Sequence, residues 1–306
     1  MKKSYMSMHP KIFVIIVTYK GKRWYDKCFG PLRASTLPVQ TIVVDNSPGD
    51  EDAEYIKANY PEIHLIKTNE NLGFGRANNL GMRYALDHGC DYVFLLNQDA
   101  WIEPDTIEKL VAVNEKHPEY GILSPMVLRP DEERIEMILG LNYDNRPLIN
   151  DLYFGHLADV YESNYVSACS WLLSRNTLET IGGFDPIFFH YEEDDNYLRR
   201  AIYHKFKIGV CPLTRMVHDH HDSPLSDDRQ KLRARQFLLV EWTDINKAFK
   251  VSHIVRYYMR KWLSYVLSRN LKLARLQREN MLYCVEMRKA VKRSRNENMQ
   301  KKASWL

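Results

Sequence analysis

The chain has 306 residues, 45% of them hydrophobic and 27% charged, which suits an ordinary globular protein with one large α/β domain plus an appendage, or two modest domains. No window reaches the ~18 uninterrupted apolar residues of a membrane span. The five cysteines (Cys28, Cys90, Cys169, Cys211, Cys284) are scattered and never paired as C-x-x-C, which argues against a disulfide framework or zinc site and for a reducing, cytoplasmic setting. A net charge of +4 conceals an asymmetry, because from Leu225 onward 20 Lys+Arg face 7 Asp+Glu, an excess of +13 that leaves −9 for the rest.

Residues 11–19, 41–44, 63–67 and 92–96 are apolar, β-branched runs that read as core strands. The first leads into Thr18-Tyr19-Lys20 rather than a small-residue cleavage site, so it reads as a strand and not a secretion signal. Between the runs, residues 24–35, 50–59 and 77–88 carry helical patterns. Strands apolar throughout and separated by helices predict an α/β fold with a mostly parallel sheet covered on both faces. Ligands of such sheets bind beyond the carboxyl ends of the strands. Thr18, Asp45, Asn46, Asn71 and Asp99 all sit at or just past strand ends, where one pocket can collect them. Residues 121–159 read as loops and irregular strands around an acceptor cleft, and 166–174 as a further apolar segment before the turn Gly182-Gly183-Phe184-Asp185-Pro186. Past Pro224 the sequence lacks Gly and Pro and is helical in pattern.

Two acidic features carry the chemistry. Asp99 follows the strand 92–96, and a lone carboxylate there can hold a divalent cation against a phosphate, or simply cap the next turn. Glu192-Glu193-Asp194-Asp195 opens a helical pattern, where like charges crowded together raise at least one pKa and make a better base; the helix dipole alone would also favour acids there. Together they point to group transfer from a nucleotide-activated donor. Gly73 and Gly75, in Asn71-Leu72-Gly73-Phe74-Gly75-Arg76-Ala77-Asn78-Asn79, allow close approach to a ligand at a helix start.

These segments, with Val17-Thr18-Tyr19, Val44-Asp45-Asn46-Ser47, Leu96-Asn97-Gln98-Asp99, Glu193-Asp194 before Arg200-Ala201, and Val217-His218 to Ser223, resemble in order the inverting glycosyltransferases of family 2, in particular rhamnosyltransferase-like and galactofuranosyltransferase-like members. The resemblance covers residues 11–223. It implies a GT-A fold over residues 1–224; residues 225–306, which have no counterpart in the resemblance, read from their composition as a basic helical region. The resemblance also implies transfer of a sugar from a UDP- or dTDP-linked donor to an acceptor hydroxyl in surface polysaccharide or lipopolysaccharide synthesis. By the same resemblance Asp194 is the catalytic base and Glu193 its acidic neighbour. Asp45 and Thr18 bind the nucleoside, and Tyr19, Asn46, Asn71, Gly73, Gly75, Asn78, Asn97 and Asp99 complete the nucleotide-sugar site. Asp99 and His218 hold Mg²⁺ or Mn²⁺, with His220 and His221 crowding the same loop. Asn97 stands where many members have the first aspartate of Asp-x-Asp. Trp171 and His190 are read either as acceptor-facing or as core.

The tail interleaves Trp242, Tyr257, Tyr258, Trp262 and Tyr265 with cations. It reads either as an interfacial helix on an anionic membrane, suiting a lipid-linked acceptor and a peripheral position on the cytoplasmic face, or as a pair that packs on the catalytic domain or forms a homo-oligomer. Nucleic acid is not expected as a partner. The alternative functions are a nucleotidyltransferase, for which Lys20-Gly21-Lys22-Arg23 is a poor phosphate loop, and a non-catalytic glycan-binding scaffold in which Asn97 marks a lost metal.

Overall fold

The computed structural model describes residues 9–68, 70–136, 146–219 and 226–306. The first half alternates β1 (Ile12–Thr18), α1 (Tyr25–Phe29), β2 (Val39–Asp45), α2 (Glu51–Asn59), β3 (His64–Lys67), α3 (Phe74–Asp87) and β4 (Tyr92–Asn97). There follow β5 (Ala100–Ile102), α4 (Thr106–Lys116), β6 (Tyr120–Leu128), α5 (Arg146–Phe154), β7 (Tyr161–Glu162), β8 (Ser170–Ser174) and α6 (Arg175–Ile181). The chain closes with α7 (Glu193–Tyr203), β9 (Lys207–His218), α8 (Asp227–Thr243), α9 (Val251–Leu267) and α10 (Leu271–Asn298).

One mixed sheet runs in the order β3-β2-β1-β4-β8-β6-β9-β5, with β7 added on β9. β3, β2, β1 and β4 are parallel neighbours, whereas β8 runs antiparallel to both β4 and β6. Ile12 to Ile16 of β1 are all buried because helices cover both faces. α3 lies close on this sheet because Gly81 carries no side chain; a Cβ there would stand 2.5 Å from Ile15 Cγ2. Thr18 pairs in register with Asp45, so the polar strand ends form one edge of the sheet.

Two sequence readings need correction. Residues 24–35 form short helical turns around α1 rather than one helix. The looseness expected of 121–159 misses β6, nine residues buried throughout, and α5. β6 carries Pro125 beside a register irregularity against β9, the kind of place where a proline is tolerated within a strand.

The tail packs on the α/β unit. Phe188, Leu239, Val240, Trp242, Tyr258, Cys284 and Val291 make a second apolar cluster. Asp185 Oδ2 accepts from Asn298 Nδ2 at 2.8 Å and from the Ser294 hydroxyl. Gly183 N–H donates to the Ser304 carbonyl at 2.8 Å, and Arg199 pairs with Glu241 and Asp244 at 2.8 and 3.1 Å. The expected division between 224 and 225, and His220 and His221, lie outside the described residues.

Candidate active site

A cleft of about 410 Å³ lies over the carboxyl ends of β1 and β4, with Tyr19, Asn46, Asn71, Gly73, Asn97 and Asp99 on its walls. Gln98 braces it, accepting from Tyr19 N–H at 2.9 Å and donating to the Tyr19 carbonyl at 3.3 Å. Asn71 Oδ1 accepts from Gly73 N–H at 2.9 Å, which shapes the loop before α3. Gly73 has φ +80°, and a Cβ there would stand 2.1 Å from the Phe189 carbonyl, so glycine is what lets the loop before α7 cross this point.

Several expected residues lie under the cleft rather than on it. Thr18 and Asp45 are fully buried. Asp45 Oδ1 accepts from Thr18 Oγ1 at 3.1 Å and from Ser47 N–H at 2.9 Å, while Oδ2 is buried with no hydrogen-bond partner among the described residues. Gly75 is packed against Phe184, and Asn78 is buried with its Nδ2 donating to the Phe74 carbonyl at 3.0 Å within α3. Neither lines the cleft, because a helix entering the sheet layer turns those positions inward. Of the two readings of Trp171 the structure has the core one and not the acceptor wall: it is fully buried and stacks on Phe184 at 6.0 Å, since β8 is a central strand with both faces covered. His190 is half exposed and on the site.

β9 brings His218 to the end of β5, beside Asp99. His218 Nε2 is 3.4 Å from Asp99 Oδ1 and its Nδ1 is 3.0 Å from Glu136 Oε2, while Asn97 Nδ2 lies 3.5 Å from Nε2. Burial opposes a charge on this imidazole, but Cys169, Asp99 and Glu136 outweigh it and lift the group to about 11. Because burial pushes the Cys169 thiol up and keeps it protonated, the two carboxylates are what hold that proton at neutral pH. Glu136, Cys169 and His218 present donor atoms within 4.8 Å of one another, all buried. Glu136 Oε1 is buried without a hydrogen-bond partner among the described residues, and Asp99 faces the cleft. An orphaned carboxylate oxygen, an accessible carboxylate and an imidazole that would release its proton as the ion binds suit a divalent cation, so these residues fit one.

A second cavity of about 450 Å³ adjoins the first, and Phe74, Asn97, His190 and Tyr191 line both. Its far side carries the acids that open α7, which follow two non-glycine residues of positive φ, Tyr191 (+71°) and Glu192 (+67°). The structure sorts these acids. Asp195 is spent in an ion pair with Arg199 at 2.9 Å. Glu193 is 5% exposed, and its Oε2 has no hydrogen-bond partner among the described residues; burial first, then the Asp194 charge, push it up to about 8. Asp194 lines the cavity and accepts from the Tyr165 hydroxyl at 2.9 Å. Burial raises its pKa, and that hydrogen bond partly offsets the rise.

Glu136, Cys169, Tyr165 and Gln98 belong to the site without having been singled out from the sequence. Gln98 sat inside a recognised motif. The other three lie on segments that only the sheet order brings to Asp99 and Asp194.

A nucleotide-sized cleft at the strand ends, a cation-fitting cluster and a buried acid group on a mixed α/β sheet define a GT-A glycosyltransferase. The chain belongs to glycosyl transferase family 2, whose model matches residues 13–182. It is 24% identical over 224 residues to the low-salt glycan biosynthesis hexosyltransferase Agl10 of Haloferax volcanii, covering 70% of this chain and 68% of that protein. It is 26% identical over 206 residues to the N-acetylglucosaminyl-diphospho-decaprenol L-rhamnosyltransferase of Mycobacterium tuberculosis, covering 59% and 67%. Among solved structures it resembles GalNAc-T7 with UDP, GalNAc and Mn²⁺ (TM-score 0.57, 14% identity, 76% of this chain and 48% of that one). It also resembles S. aureus TarS 1-349 in complex with UDP (TM-score 0.53, 13% identity, 94% and 91%).

Proposed function

We propose that this enzyme is an inverting glycosyltransferase that moves a sugar from a UDP- or dTDP-linked donor to the hydroxyl of a lipid-linked or glycan acceptor in surface polysaccharide synthesis. The observation that carries this is the pair of adjoining cavities, with Asp99 in one, Asp194 in the other, and Phe74, Asn97, His190 and Tyr191 between them. The donor diphosphate lies in the first and the acceptor in the second, so the anomeric carbon falls near Asn97.

Asp194 takes the acceptor proton as that oxygen attacks the anomeric carbon. The bond to the diphosphate breaks in the same displacement, which inverts the configuration. Tyr165 holds Asp194 Oδ2 and the Asp195 N–H donates to Oδ1 at 2.9 Å, so the acceptor hydroxyl would use a remaining lone pair of this fixed carboxylate. Glu193, pushed up to about 8, is protonated at neutral pH and supports Asp194 without competing as base. Asp99 and His218, with Glu136 behind them, would hold the cation, and their mixed oxygen and nitrogen donors favour Mn²⁺ over Mg²⁺. Such an ion neutralises charge on a departing diphosphate. The unpartnered Oδ2 of Asp45 is an acceptor that the N3–H of uracil or thymine would satisfy once the floor opens.

Names of relatives support the acceptor class, since one is a diphospho-decaprenol rhamnosyltransferase. All five cysteines are free and buried, in keeping with a reducing, cytoplasmic setting. No helix among the described residues is long and apolar enough to cross a membrane. The test is a thermal-shift panel of nucleoside diphosphate sugars with and without Mn²⁺, joined to a transfer assay. Asp99→Ala should abolish the metal-dependent stabilisation. Asp194→Asn should keep donor binding and lower transfer by at least about 10²-fold. Full turnover in Asp194→Asn would refute the base assignment.

A further inference from the structure

We infer that the outward face of α9 and the turn into α10 seat the enzyme on an anionic lipid bilayer. This deepens the proposed function by naming the surface from which a lipid-linked acceptor arrives. α9 is two-faced. Ile254 and Tyr258 turn into the tail's apolar cluster. Arg256, Met259, Arg260, Leu263, Val266 and Leu267 recur at helical spacing on the opposite, exposed side. Leu267 and Leu271, at the turn, are 84% and 71% exposed, among the largest exposures of any apolar side chain described. An apolar tip of that kind, covered by none of the described residues, is costly in water and favourable at a lipid interface.

Charge selects the partner. Residues 245–278 hold nine Lys+Arg and no Asp or Glu. Arg256, Arg260, Arg269 and Lys272 have no ion-pair partner among the described residues, so their charge is open to an external anion. A basic face around exposed leucines matches anionic headgroups above acyl chains better than it matches a second copy of itself, which would set cation against cation. The groove between α8 and α10 then gives the contact a purpose. It measures about 1,170 Å³, begins at Glu192 and Arg233 beside the acid cavity, and ends at Leu276 and Tyr283 of α10. Leu276 lies five residues beyond Leu271, so the groove joins the active site to the lipid-facing turn.

The experiment is co-sedimentation of the full chain with vesicles of phosphatidylcholine alone, and with about a third phosphatidylglycerol. The wild type should pellet with the anionic vesicles and stay in solution with the neutral ones. Leu267→Glu with Leu271→Glu, both at exposed positions, should cut the bound fraction at least about tenfold while melting temperature and donor hydrolysis hold. No binding by the wild type, equal binding to neutral vesicles, or unchanged binding by the double variant would overturn the inference. So would a soluble dimer that the double variant dissolves. Vesicle binding without any donor hydrolysis would instead sink the transferase reading and leave this one standing.

Discussion

Replacing Glu193 with glutamine keeps the shape of the side chain and removes its titration, which isolates what burial does to this acid. The carboxyl is 5% exposed and pushed up to about 8, from an ordinary 4.5. Between those values the folded protein keeps a proton that the unfolded chain has lost. Stability is therefore fully present below about pH 4.5 and falls as pH rises toward 8. The slope is about 1.4 kcal/mol per pH unit, so by pH 7 the wild type has lost about 3 kcal/mol to this one group. Glu193→Gln carries no such loss, and its advantage over wild type should grow from nothing at pH 4.5 to about 3 kcal/mol at pH 7. Urea unfolding midpoints of both proteins at several pH values between those limits measure the difference directly. A gap that does not change with pH, or one that turns against the variant as pH rises, would refute the argument. The same variant bears on mechanism: if Glu193 is protonated at pH 7 it is not the base, and transfer should persist in Glu193→Gln.

Gly73→Ala forces a side chain onto a backbone of φ +80° and against the Phe189 carbonyl, so it should destabilise by about 2 kcal/mol or displace the loop before α7. Loss of donor-induced thermal stabilisation reads the displacement. Asp185→Ala strips partners from Ser294 and Asn298, both buried, and should cost about 3 kcal/mol in urea unfolding, with faster proteolysis of the tail. Asp45→Ala should weaken UDP binding by about tenfold or more, by calorimetry, if its free oxygen receives the base; unchanged affinity would move the nucleoside elsewhere.

The parallel half of the sheet was legible because its strands are buried on both faces and therefore apolar throughout, with helices between them. The strand-end polar residues were legible as a set but not in depth. Thr18 and Asn71 look alike in a sequence, yet one is buried beneath the floor and the other on the wall, because Thr18 is the last residue of β1 whereas Asn71 lies four residues past the end of β3. Trp171 could not be assigned from its neighbours, since its place depends on β8 running between β4 and β6, a pairing set by distant segments. Glu136 escaped for a related reason: it enters the site through a bond to His218, 82 residues away. β6 was obscured by Pro125, a strand breaker everywhere except at an irregularity of this kind.

The carboxylate of Asp185, inside the Gly-Gly-Phe-Asp turn, has a consequence for where the working unit ends. That group is 2% exposed, and the side-chain hydrogen bonds to its Oδ2 come from Ser294 and Asn298, more than a hundred positions downstream. A fragment cut to the family-matched span would stop before this aspartate, and one cut before α10 would strip Oδ2 of both side-chain donors and remove Cys284 and Val291 from the cluster around Phe188. A piece that keeps this carboxylate partnered therefore has to run through α10, and a transplant of the front half into another scaffold that includes the turn must bring that helix with it.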